Sequence, residues 1–202
     1  TDGVFYVLDG DTFAIAINDV EDLKALAADV NAGNTYNGKN IVLLEDIDLA
    51  NAEWTPIGNS TYNFQGNFNG LNHTIKNLLI NGERKSNIGL FGMTTVGTIK
   101  NLIVENAKVS GRLNVGVVAG TPYTSKYENI TVKGLVQVDA MSYAGAVGGK
   151  NAYANWTNIT VDVEEGSYVS ANSVENGTAY RTYVGGVVGF MGEGGHTFKN
   201  IT

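Results

Sequence analysis

Three groups of carboxylates have the spacing to do chemistry: Asp9 with Asp11, Asp46 with Asp48, and Asp162 with Glu164 and Glu165. Two residues apart on a strand, Asp46 and Asp48 share a face. Such a pair could act as acid and base in glycoside cleavage, or gather a calcium ion. A catalytic cluster on a repetitive scaffold would need acids at the same place on the neighbouring repeats. None recurs there, and lysine and arginine are sparse. His73 sits at a turn leading into a strand and His196 beside the 192–195 loop. Neither has a neighbouring nucleophile or a second histidine four residues on, so neither builds a zinc site or a triad. The chain has no cysteine, which excludes disulfides and thiolate metal sites. The expectation is a protein with no catalytic residue, no metal and no cofactor.

Asparagine is the most regular polar feature. Asn77, Asn101, Asn129, Asn158 and Asn200 each occupy the third place of one recurring phrase: IKNLLI at 75–80, IKNLIV at 99–104, YENITV at 127–132, WTNITV at 156–161 and FKNIT at 198–202. Stacked in register, these amides would satisfy one another as a structural ladder. Asn59, Asn72, Asn129, Asn155, Asn158, Asn176 and Asn200 also stand in Asn-x-Ser/Thr sequons. Three of these belong to the ladder phrase, where a glycan would disrupt packing, so the structural reading is preferred.

A second phrase alternates with the first: IGLFG at 88–92, VGVVAG at 115–120, AGAVGG at 144–149 and VGGVVG at 184–189. Two apolar segments in fixed order, repeated every few dozen residues, indicate a solenoid. In the Asn phrase the residue after Asn is apolar, as is the one two further on, which describes a half-buried strand. A middle strand such as 107–110 or 135–138 follows, then the Gly-rich strand. Three short strands per coil predict an all-β, right-handed parallel β-helix, with Leu78, Leu102, Ile130 and Ile159 in one inward column. The recurring Gly89, Gly116, Gly145 and Gly185 mark a tight corner or a close approach of another layer. One amphipathic helix is predicted at about 19–31, with Asn18 as N-cap, Glu21 as its capping-box partner and Gly33 as its stop. It is expected to cap the N-terminal end of the core. The predicted organisation is an N-terminal cap over 1–49 and repeats over 50–202.

Bulk properties agree with a folded domain. Of 202 residues, 43 % are hydrophobic, and 26 glycines accompany only two prolines. The net charge of −7 and the lack of any basic run argue against nucleic acid. No apolar run is long enough to span a membrane. The chain starts without Met and stops one strand into a repeat, so it is expected to be a piece of a longer protein.

The Gly-rich phrases resemble the GLUG motif. The run through Trp54, Phe64, Gly70, His73, Ile75, Asn77 and Leu78 to 89–92 resembles the opening of such β-helices. The resemblance implies a secreted or surface protein of gut commensals, similar to N-terminal regions of some immunoglobulin A proteases. It carries over no catalytic residue, and no HExxH zinc motif is present.

Binding is therefore the leading functional expectation. The repeat from Asn158 to Asn200 is 42 residues long against 28 or 29 for its neighbours. Its 166–183 stretch reads as an inserted polar loop bearing Tyr168, Tyr180, Arg181 and Tyr183, with Glu175 as further charge. Loops on a rigid scaffold commonly carry binding, and tyrosine suits interfaces. The expected protein is a noncatalytic extracellular or cell-surface module for adhesion, binding a glycan or a host protein. The alternatives are a polysaccharide-degrading β-helix domain and a passive spacer or accessory domain of a larger secreted protease.

Overall fold

The structure, a computed structural model, describes residues 6–9, 12–175, 178–179, 181–192 and 196–202. It is a parallel β-helix of about five coils with one α-helix near its N-terminal end. Its first sheet stacks Thr12–Ile17, Asn40–Leu43, Asn67–Asn69, Thr98–Gly111, Lys126–Ala140, Asn155–Val163 and Thr197–Ile201. All these neighbours pair in parallel. The parallel sheet thus begins ahead of residue 50, the boundary expected from the motifs.

The Asn phrase is a corner. Asn101, Asn129, Asn158 and Asn200 have φ of 51°, 55°, 55° and 52°, the left-handed region that asparagine tolerates better than other side-chain-bearing residues. A single left-handed residue interrupts the pleat. Ile99 and Leu102, on either side of Asn101, are therefore both buried, and Val104 follows on the same inner face. The amides stack as well. Asn101 Nδ2 donates to Asn69 Oδ1 (2.9 Å), Asn129 to Asn101 (2.7 Å), Asn158 to Asn129 (2.7 Å) and Asn200 to Asn158 (2.8 Å).

Asn77 is not in this ladder, contrary to the expectation. Its strand, Thr74–Asn81, pairs Ile75 with Val104 and Leu78 with Ala107, so the phrase at 75–80 lies one face further round the coil. Leu78 consequently stacks on Ala107, while Leu102, Ile130, Ile159 and Ile201 form the inward column. The ladder begins instead at Asn69. Asn77 (φ 58°) and Asn106 (φ 56°) make a second left-handed corner, continued by Gly134 at φ 75°. Here Asn77 Nδ2 donates to Asp48 Oδ1 (2.8 Å), and Asn106 Oδ1 accepts from the Leu135 N–H (2.9 Å). A Cβ at position 134 would fall 2.4 Å from Asn106 Oδ1, so glycine is required there. Two corners with the same demand have produced near-identical phrases on different faces.

The Gly-rich phrase is two short strands rather than one, giving four strand segments per coil. One sheet stacks Ser86–Ile88, Leu113–Gly116, Tyr143–Gly145 and Tyr183–Gly185; another stacks Phe91–Thr95, Ala119–Tyr123, Gly148–Asn151 and Val188–Met191. The two sheets touch through glycine. A Cβ on Gly120 would lie 2.3 Å from the Asn87 carbonyl carbon, and one on Gly149 2.3 Å from that of Asn114.

The interior is filled by columns whose members change size. Ile99, Tyr127, Trp156 and Phe198 form one, with Tyr127 and Trp156 stacked at 4.3 Å between centroids. Opposite, Phe91, Ala119 and Gly148 shrink in sequence. A Cβ on Gly148 would come within 3.0 Å of Trp156 Cη2. The Tyr127 hydroxyl, fully buried, pairs with Thr94 Oγ1 at 2.7 Å, and burial pushes its pKa up.

The helix, Val20–Ala32, starts one residue later than expected. Its N-cap is Asp19, whose Oδ1 accepts from Glu21 N–H (2.9 Å) and Asp22 N–H (3.0 Å); Asp22 reaches back to the Asn18 N–H (2.9 Å). Gly33 at φ 121° ends it. Leu23, Leu26, Ala27 and Val30 are buried in the same core as Ile17, Ile41 and Phe64, which closes the N-terminal end.

Asn129→Ala removes two ladder bonds, one to Asn101 and one from Asn158, and the side chain that tolerates a left-handed backbone. It should lower stability by about 1–3 kcal/mol in urea unfolding. Asn129→Gly keeps the backbone conformation and loses only the ladder, so its loss should be smaller. Equal losses would show that the backbone conformation contributes nothing.

Candidate functional site

The 166–183 stretch is only partly a loop. Tyr168–Ala171 is a strand of the first sheet, paired with Gln137–Ala140, and Val174–Glu175 with Thr178–Ala179 forms a small antiparallel hairpin in the segment that holds most of the extra length. The expected binding residues therefore separate. Tyr168 lies on the outer sheet surface, and its O–H donates to Asp139 Oδ2 at 2.8 Å, with Ser170 Oγ held by the other carboxylate oxygen. The bond to Asp139 raises the Tyr168 pKa and holds the ring in place. Arg181 is exposed, and its carbonyl accepts from Ser142 Oγ. Tyr180 and the Glu175 side chain lie outside the described residues.

Tyr183 has the richest surroundings. It opens the strand Tyr183–Gly185 and pairs in register with Tyr143, placing their rings 5.5 Å apart. Phe190, from the neighbouring sheet, stacks on Tyr143 (4.8 Å, 22°) and contacts Tyr183 (5.0 Å). Lys150 Nζ lies 5.9 Å from the Phe190 centroid, within cation–π range. Glycine brings the two sheets close enough for this, since the Cβ position of Gly189 is 2.6 Å from Ala144 N. The outcome is an outward aromatic ledge of three rings from two sheets, with Tyr183 37 % exposed. Phe190 and Lys150 escaped the sequence reading. The tyrosine pair alone had a sequence signal, because Tyr143 and Tyr183 stand at the same offset before Gly145 and Gly185.

A second aromatic group joins Tyr123, Tyr153 and His196, with centroids 5.7 Å and 6.2 Å apart. His196 is held structurally: Asn151 Nδ2 donates to its Nδ1 (2.9 Å), and its Nε2 donates to the Gly192 carbonyl (2.7 Å).

The acid pair serves the fold. Asp46 Oδ1 accepts from the Thr74 N–H (2.8 Å) and faces His73 Nδ1 (3.2 Å), with Lys76 Nζ 3.9 Å from its other oxygen. Asp48 Oδ1 accepts from Asn77 Nδ2 (2.8 Å) and the Ala50 N–H (2.7 Å). The Thr74 bond for Asp46, and the Asn77 bond for Asp48, hold both carboxyls below the ordinary 3.8. Asp162, in the strand Asn155–Val163, and Glu164 and Glu165 just after it are exposed; Asp9 has no described side chain, and Asp11 lies outside the described residues. Among the described residues no group of three metal-ligating side chains converges. Among the described residues no helix is long and apolar enough to cross a membrane.

No protein-family model matches the chain. Halomucin from Haloquadratum walsbyi is 33 % identical over 133 aligned positions, covering 59 % of this chain and 1 % of that protein. Among solved structures, a candidate immunoglobulin A1 protease from Bacteroides ovatus is similar with a TM-score of 0.53 at 16 % identity, over 91 % of this chain and 63 % of that one. That likeness is one of fold. The chain spans less than two thirds of each.

The lowered carboxyls predict an acid-dependent stability. Each group is ionised in the folded state at a lower pH than in the unfolded chain. Its contribution is complete above the ordinary 3.8 and is lost as pH falls through the lowered native value. Asp46→Asn should flatten the acid limb of a Tm-against-pH curve; an unchanged limb would show that Asp46 is not among the groups responsible.

Proposed function

We propose that this chain is a noncatalytic module of a secreted or surface protein, and that it binds an extracellular glycan or protein through the ledge of Tyr143, Tyr183 and Phe190. The ledge carries the reading. Flat rings fixed by stacking offer contact area with little entropy left to lose, and their faces suit sugar C–H groups and protein side chains alike. Lys150 adds a cation at the rim. The scaffold beneath is stacked sheet, so the ledge is presented rigidly.

Two comparisons support the setting. One relative is named Halomucin and the structural neighbour is titled an immunoglobulin A1 protease, names that fit a secreted or surface setting. The Gly-rich phrases keep the GLUG reading as the family proposal. A noncatalytic role fits the way Asp46 and Asp48 are committed to backbone and amide partners at a turn.

The test is a screen of the chain on glycan arrays and immobilised extracellular proteins, repeated with Tyr143→Ser/Tyr183→Ser. Both side chains are on the outer surface, so Tm should change little, while affinity for any ligand found should fall at least about tenfold, as for loss of an aromatic anchor. Undiminished binding by the double variant would refute the ledge as the site.

A further inference from the structure

A cavity of about 360 Å³ lies where the helix end, the 53–59 segment and the 82–88 turn meet. Its size falls at the lower end of small-molecule sites. Trp54, Ile80 and Ile88, each buried, contribute apolar walls. Gly82 shapes the opening, since a Cβ there would meet Ser110 O at 2.5 Å and Ile88 Cδ1 at 2.8 Å.

The polar groups around it are oriented by bonds made behind them. Asn87 Oδ1 accepts from Asn114 Nδ2 (2.8 Å) and from Thr121 Oγ1 (2.7 Å), which assigns its amide and leaves the NH₂ available. The Glu53 carboxylate takes the Asn81 N–H on one oxygen and Asn81 Nδ2 on the other, both at 2.8 Å, and each oxygen keeps accepting capacity. Lys85 Nζ has no acceptor among the described residues. The lining therefore joins an apolar surface, fixed N–H donors and a fixed carboxylate acceptor.

That combination selects by elimination. An apolar ligand would leave the donors and the carboxylate unpaired. An anion would meet Glu53, and a cation would meet Lys85. A neutral sugar has an apolar C–H face and hydroxyls that both donate and accept. We propose that this pocket binds one neutral hexose-sized sugar residue, such as the end of a glycan chain. The site is separate from the aromatic ledge.

The experiment is a ¹⁵N–¹H NMR titration of the 202-residue chain with glucose, galactose, mannose and N-acetylglucosamine, to tens of millimolar, with glucuronate as the anionic control. At least one neutral sugar should shift the Asn87 side-chain amide and the Gly82 and Lys85 backbone signals. Lys85→Ala, at an exposed position, should weaken that binding roughly tenfold, as for one charged hydrogen bond. Glu53→Gln should weaken it too, and Tyr143→Ser/Tyr183→Ser should leave it unchanged. The proposal fails if no neutral sugar shifts these signals, if shifts are confined to the ledge, if Lys85→Ala binds as wild type does, or if glucuronate binds as tightly as the neutral sugars. Failure of the pocket leaves the ledge screen unaffected, and the reverse holds as well.

Discussion

A parallel coil must turn its chain at the same place on every level, and here the turning is done by one residue in a left-handed conformation. Few side chains accept it. Asparagine does, and its amide has a donor and an acceptor on opposite sides, so one corner can bond to the next above and below. The bonds from Asn69 through Asn200 therefore do more than satisfy polar groups. They set the register between coils. Once register is set, the inward columns follow, because each column member is counted from the corner. A slip of one residue would turn every inward residue outward.

Glycine does the complementary work on the other side of the coil. The Gly-rich phrase lets two sheets approach until Cβ atoms would collide with backbone at Gly120 and Gly149. That approach brings Phe190 beside Tyr143 and Tyr183, although they come from different sheets. The proposed ledge is thus a by-product of close backbone packing. The pocket near the helix arises differently, at the junction where the first coils meet the cap and regular stacking stops.

Much of this was legible in the sequence, and the failures have physical causes. The alternation of two phrases identified the solenoid, and the amphipathic pattern found the helix to within a residue. The ladder was read with one wrong member. IKNLLI and IKNLIV look like the same element, yet they serve two corners, and only pairing distinguishes them. The short interval of 24 between Asn77 and Asn101 was the visible warning, since the coil to Asn101 is 32 residues when measured from Asn69. The polar residues around Tyr168 suit a loop and an outer sheet face equally, so composition alone does not distinguish the two. The ledge needed Phe190, whose place depends on how closely two sheets pack, and no single-strand pattern reports that distance. The pocket's amide and carboxylate were invisible for a similar reason, because their orientation comes from partners 27 to 34 residues away.

The core carries a record that the corners do not. At the corners the coils are alike: Asn129, Asn158 and Asn200 make the same bond to the coil before. Inside, they are individual, for Trp156 lies over Gly148, and the strand that carries Phe91 on one coil carries Ala119 on the next. Recombination between repeats would find matching phrases to align, and loss of residues 126–154 would even preserve the ladder. Yet it would bring the indole of Trp156 onto the methyl of Ala119 in place of a glycine. Gain or loss of a coil must then be followed by compensating substitutions before the interior closes again, so the gene should change its number of repeats more slowly than the similarity of its motifs suggests.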